Sequence, residues 1–156
     1  MMPRILAFAS STRRESFNKK LVAIAAQGAR EAGAEVTLID LKDFPLPLFD
    51  QDLEAEQGMP ENGKKLKKLF IDLVAFRGKV AALMSASPGA LGGLRGLVHV
   101  RSILGNLGVI VLPDQIAVAQ AHEAFNPDGT LKDPKRQAGI EGLGRTLAEF
   151  LAKLKA

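Results

Sequence analysis

Ile5-Leu6-Ala7-Phe8-Ala9-Ser10-Ser11-Thr12-Arg13-Arg14-Glu15-Ser16-Phe17-Asn18-Lys19-Lys20-Leu21 is the stretch on which the fold turns. Its first five residues are apolar and lead into hydroxyls, the pattern of a buried strand in a parallel sheet. From Phe17 to Arg30, Leu21, Val22, Ile24, Ala25 and Ala29 recur at spacings that give a helix one apolar face. A strand that passes through a loop of hydroxyls and arginines into a helix aims free backbone N–H groups and a positive dipole end at an anion. Ser11, Ser16 and Asn18 can add hydrogen bonds, and Arg13 a charge-assisted pair. The same residue types are ordinary helix caps, so phosphate binding and simple capping both stay open. Neither G-x-G-x-x-G nor G-x-x-x-x-G-K followed by Ser or Thr occurs, which argues against a Rossmann dinucleotide site and a Walker site.

Working outward, Gly33 stops the helix and Glu35–Asp40 reads as a second strand, giving a βαβ unit with a parallel pair. Leu41 to Pro60 holds three prolines, Asp50, Asp52 and Gly58, and reads as a long irregular loop of the kind that flanks sites or subunit contacts. Glu61 to Asp72 returns to a helical pattern, with Leu66, Leu69 and Phe70 inward and the lysines between them solvated. Lys79–Ser85 is a third apolar strand. It runs into Ser85-Ala86-Ser87-Pro88-Gly89-Ala90-Leu91-Gly92-Gly93-Leu94-Arg95, a glycine-rich loop opening a helix to about Leu104, closed by Gly105. Val109–Leu112 gives a fourth strand ending at Pro113. Asn126-Pro127-Asp128-Gly129 is a turn, and Pro134 to Lys155 a closing helix with Ile140, Leu143, Leu147, Phe150, Leu151 and Leu154 on its core face. Alternating strands and helices predict a doubly wound α/β sheet in one domain, 1–156, with ligands at the carboxyl ends of the strands.

Composition narrows the function. The 156 residues are enough for one real core, and the absence of cysteine excludes disulfide and thiolate chemistry. A net charge of +4 favours anionic ligands, but without Trp or Tyr there is little platform for stacking bases, so no nucleic-acid partner is expected. No signal-like or bilayer-spanning run is evident, so the expectation is a cytoplasmic protein with no membrane partner.

The two loops together carry a resemblance. Ser10 to Leu21, followed by Ser87 to Arg95, resembles the NADPH-dependent FMN reductase family of flavodoxin-like proteins. The first matches that family's G-S-x-R-x-x-S-x-N phosphate loop, with Ser11, Arg13, Ser16 and Asn18 in place and Ser10 where glycine is usual. The second matches its S-P-G-x-x-G-G-x-R loop beside the isoalloxazine ring. The resemblance implies a flavodoxin-like three-layer α/β/α fold, FMN as cofactor and NADPH or NADH as donor. It also implies a small-molecule acceptor such as a quinone, dye, metal oxyanion or free flavin, and a homodimer or homotetramer. Ser10, Ser11, Arg13, Ser16, Phe17 and Asn18 would hold the phosphate; Ser87, Pro88, Gly89, Gly92 and Gly93 would border the ring.

In one respect the chain departs from the family. A central strand, its P-E-Y-N-type loop and the helix that follows are absent between the parts matched by Asp72 and Leu73. Their loss either leaves a gap in the sheet or pairs the first strand directly with Lys79–Ser85, moving one ligand loop toward the other by about 4.8 Å. A flavin- or phosphate-binding remnant without turnover is therefore the alternative.

Rivals fail on chemistry. In Ser85-Ala86-Ser87-Pro88-Gly89 the first glycine of a nucleophile elbow is replaced, and Pro88 has no N–H for an oxyanion. His99 and His122 lack metal-ligand spacing, and Asp50 with Asp52 reads as turn solvation rather than a catalytic pair.

Overall fold

A computed structural model of the chain describes residues 2–48, 51–71 and 78–154. Asp50, the junction at Asp72 and Leu73, and Lys155, all named above, lie outside the described residues. Strand β1 (Arg4–Ala9) pairs in parallel with β2 (Glu35–Asp40), Arg4 opposite Glu35 and Ala9 opposite Asp40, with α1 (Phe17–Glu31) as the crossover. Short α2 (Gln51–Gln57) and α3 (Glu61–Ile71) follow; β3 (Val80–Ala86) then pairs in parallel with β4 (Ile110–Val118) across α4 (Leu94–Asn106). A one-turn α5 (Ala121–Ala124) and the long α6 (Pro134–Leu154) close the chain.

Among the described residues the strands form two two-stranded sheets, β1–β2 and β3–β4, rather than one continuous sheet. Of the two outcomes expected for a chain lacking its central strand, the gap is the one realised. Helix α1 bridges it, packing against β1, β2 and β3, while α6 packs on α1 and on β3 and β4. The opposite layer follows from strand alternation. Ile5 joins the cluster under α1 and α6, whereas Phe8 meets Phe70 of α3 edge-on with ring centres 5.5 Å apart. Along β4, Ile116 joins the main core with Ile140, while Gln115 meets Arg101 of α4. Helices thus cover both faces.

Leu21, Val118, Ala121 and Ile140 lie at the centre of that core, all fully buried. The densest contact is between α1 and α6, where Gly28 faces the Glu141 carbonyl and Gly144 faces that of Ala25. No side chain separates the two backbones there.

Four expectations need correction. The fourth strand does not stop at Pro113 but runs to Val118 through a bulge, in which three residues of β4 lie opposite one of β3 between the pairs Ala81–Val111 and Leu83–Gln115. Pro113 sits inside the bulge, where no ladder N–H is required. The Arg101 guanidinium donates to the carbonyls of Leu112 (2.8 Å) and Pro113 (3.2 Å) and to the Gln115 side chain, satisfying what the bulge leaves unpaired. Helix α4 runs past Gly105 to Asn106, and the left-handed stop is Gly108 at φ 78°. The stretch 41–60 is not wholly irregular: it holds a 3-10 turn at Leu41–Asp43, where the Asp40 carboxylate accepts from Lys42 N–H, and α2. Leu154 is exposed rather than core-facing, since α6 outruns its partners by its last turn.

Candidate functional site

The cradle loop leaves the carboxyl end of β1, and Ser16 is the N-cap residue of α1, 5% exposed with extended backbone. Its hydroxyl makes no capping bond, so the capping alternative does not account for it. The N–H groups of Lys19 and Lys20 donate to the Ser16 carbonyl, which leaves those of Phe17 and Asn18 at the helix start to an external acceptor. Around them Ser10 is exposed, and among the described residues the Ser11 hydroxyl is engaged only by a long bond from Arg13 N–H (3.4 Å). The side chains of Arg13 and Arg14 are exposed and have no ion-pair partner among the described residues. An anion seated here would meet unspent donors and two unspent positive charges. A phosphate group fits that donor set.

Two members of the sequence-derived set are placed differently from the rest. Phe17 turns its ring into the core, stacked on Phe125 with centres 5.6 Å apart, so only its main chain is open to a ligand. Asn18 reaches across to β3: its amide nitrogen donates to the Ala86 carbonyl (3.1 Å) and its oxygen accepts from Ala86 N–H (2.8 Å). Both ends of one side chain are spent on the last residue of the strand that enters the second loop. Asn18 therefore fixes one loop relative to the other across the gap in the sheet. Asn18→Ala orphans a partly buried N–H and C=O together, and is expected to lower stability by about 2 kcal/mol, read as the midpoint of urea unfolding.

The second loop folds onto the end of β4. Ser87 N–H donates to the Val118 carbonyl and Ala121 N–H donates to that of Ser87, each at 3.1 Å. The Ser85 hydroxyl donates to the Gly92 carbonyl (2.7 Å). Gly92 and Gly93 have φ of 58° and 86°, and a methyl on Gly92 would lie 2.6 Å from the Val118 carbonyl carbon. These two glycines serve the turn itself. Gly89 differs: it has no positive φ, its nearest neighbour would be the Ser87 hydroxyl at 3.8 Å, and it is exposed beside Pro88. Of the three, Gly89 is the one that leaves room for a ligand.

Lys19 and Asp40 were not singled out from the sequence, because strand β2 had to be placed beside α1 before their ion pair could be seen. Lys19 Nζ lies 2.6 Å from Asp40 Oδ2, at the rim of a cavity of about 330 Å³ lined also by Ala9, Val22, Leu38, Ile39 and Asp43. The Lys19 hydrogen bond, then the Lys42 N–H, hold the Asp40 carboxyl below its ordinary value of 3.8. A depressed folded-state pKa stabilises the fold above the unfolded value, and the contribution is lost as pH falls through the folded one. Asp40→Asn is therefore expected to weaken the acid dependence of stability below about pH 3.8, read as unfolding midpoints on a descending pH series. His99 and His122 are exposed, and no group of three metal-ligating side chains exists among the described residues.

Comparison with known proteins agrees with this geometry. The family model for NADPH-dependent FMN reductase matches residues 3–72 and 66–123, which takes in both loops. The chain belongs to the NADPH-dependent FMN reductase family. It is accordingly an oxidoreductase with FMN and a nicotinamide nucleotide as its cofactors. The two matched segments overlap at 66–72, in the sequence between β2 and β3. A probable NADPH:quinone oxidoreductase 2 from Oryza sativa subsp. japonica is 24% identical over an alignment of 186 residues, covering 97% of this chain and 90% of that protein. That alignment is longer than this chain's 156 residues, so the rice protein carries residues within the aligned region that this FMN reductase relative lacks. Among solved structures, the flavoenzyme NAD(P)H:(acceptor) oxidoreductase FerB from Paracoccus denitrificans superposes with a TM-score of 0.74 at 22% identity, over 97% of this chain and 98% of that one. An archaeal flavodoxin gives 0.57 at 14%, over 97% and 99%. These likenesses establish the flavodoxin-like fold.

Proposed function

We propose that this reductase passes electrons from NADPH or NADH to a small quinone, with FMN bound between Ser10–Asn18 and Ser87–Arg95. The observation that carries the reading is the Asn18–Ala86 pair of bonds, which joins an uncapped, arginine-flanked helix start to the ring-loop strand. FMN, when bound, supplies a ring that accepts hydride and releases electrons to an acceptor. The chain's own work is placement. Ser11, Arg13, Ser16 and the first amides of α1 bind the phosphate, Asn18 sets the separation of the loops, and Gly89 leaves space where Ser87 and Pro88 border the ring. The quinone is favoured by the name of the rice relative, a probable NADPH:quinone oxidoreductase.

Homodimer or homotetramer formation belongs to the same proposal. Val100, Ile103 and Leu107 stand exposed on one flank of α4 and its end, an apolar stripe of the kind that subunits cover. A cytoplasmic location, where nicotinamide nucleotides are kept reduced, is proposed with it; among the described residues no helix is long and apolar enough to cross a membrane.

One observation favours a second reading. The gap between β1 and β3 falls beside the ring loop, so a cofactor-binding remnant without turnover is the rival. Titrating apoprotein with FMN, then following NADPH oxidation with benzoquinone, separates the two. Binding with turnover supports the reductase, binding without turnover supports a flavin-binding remnant, and no FMN binding removes the reductase and leaves a remnant that binds phosphate alone. Within the first outcome, Arg13→Ala is expected to weaken FMN binding about thirtyfold, as suits loss of one charge-assisted phosphate contact, while binding of riboflavin, which has no phosphate, stays unchanged.

A further inference from the structure

Among the described residues, Gln120 is the one non-glycine with positive φ, at φ 48° and ψ 44°. That conformation is disfavoured for any side chain with a Cβ, and is most often taken by glycine or asparagine. Its main chain is committed: the N–H donates to the Gly89 carbonyl at 3.3 Å, and the carbonyl accepts from Glu123 and Ala124 N–H at 2.8 and 3.2 Å. The next residue, Ala121, is fully buried and bonded through its N–H to Ser87. Gln120 is thus fastened to the open side of the second loop, at the glycine with room beside it. Its own side chain is exposed and has no hydrogen-bond partner among the described residues. A disfavoured backbone held by its surroundings, with a free carboxamide at its tip, is the pattern of strain kept for a ligand contact.

We infer that Gln120 is a specificity-determining residue of the flavin site, its carboxamide reading the pyrimidine edge of the isoalloxazine ring. The inference rests on the proposed FMN site. A carboxamide offers one acceptor and two donors, and that ring edge alternates carbonyl oxygens with the N3–H. The match selects a flavin over a flat ring without the pattern. A glycine at 120 would take the turn with less strain and no carboxamide, so the turn alone does not call for glutamine.

The test compares wild type with Gln120→Gly, using FMN and N3-methyl-FMN as probes. The glycine variant is expected to keep the apoprotein's melting temperature or raise it, and to bind FMN about tenfold more weakly, the effect of one lost hydrogen bond. N3-methylation should weaken wild-type binding by a similar factor and leave the variant's affinity unchanged. Equal FMN affinity in both proteins, or equal sensitivity to N3-methylation, overturns the inference while leaving the FMN site standing. A wild-type protein that binds no FMN overturns the site and the inference together.

Discussion

Gly144→Val is expected to lower the thermal midpoint by about 6–12 °C, and Gly28→Ala to do nearly as much, corresponding to about 3 kcal/mol of overpacking in a domain of this size. In both cases the added carbon meets backbone rather than a side chain. A Cβ at 144 runs into the Ala25 carbonyl and lies 3.1 Å from Ala29 N; one at 28 lies 2.6 Å from the Glu141 carbonyl carbon and 2.7 Å from its Cα. No rotamer change relieves such a contact, so α1 and α6 must part. Their separation costs more here than in an ordinary α/β domain. Because the strands of the described residues fall into two sheets, α1, packed on β1, β2 and β3, joins the halves, and α6 braces it from β3 and β4. Gly142 in the same helix supplies the control. A Cβ there meets nothing within 4 Å, so Gly142→Ala is expected to raise stability by about 0.5–1 kcal/mol through helix propensity alone. Thermal melts of the three variants decide the matter, and a benign Gly144→Val would refute the close crossing.

Gly92→Ala should be the most damaging single change in the site. Its φ of 58° resists a side chain, and the new methyl would sit 2.6 Å from Val118 C, 2.7 Å from Ala119 N and 2.8 Å from Val118 O. Strain and overlap together are expected to cost about 3 kcal/mol, released by lifting the loop off β4. That movement breaks the Ser85–Gly92 bond and displaces Ser87 to Gly89. FMN affinity is expected to fall about a hundredfold, in proportion to the lost preorganisation. Gly89→Ala makes the opposite division: the fold has space for it, so stability should hold while FMN affinity falls if the space belongs to the ring. Flavin fluorescence titration and urea unfolding of both variants separate loop architecture from ligand room. Matching results for the two glycines would refute the distinction.

Periodicity and local chemistry made much of this legible. Glu35–Asp40 has the bounds expected of it, and the loop into α1, the Asn126–Gly129 turn and α6 were readable because each is decided by neighbours in sequence. What escaped was set by residues far apart in the chain. Strand β4 continues past Pro113 because Arg101, on another element, satisfies the bulge; Gly28 and Gly144 read as weak points in helices until the helices are crossed. That the Asn18 carboxamide bonds both backbone groups of Ala86 was not legible, since nothing local reveals that Ala86 will lie beside it.

The sequence by itself determined the hydroxyl- and arginine-rich loop between β1 and α1, the glycine-rich second loop and the alternating α/β order, because hydroxyls, glycines and apolar spacing act within a few residues. Only the tertiary structure decided how the two pairs of strands meet. Among the described residues the sheet stays split and α1 spans it, because packing against a helix places β1 and β3 without requiring that they hydrogen-bond to each other.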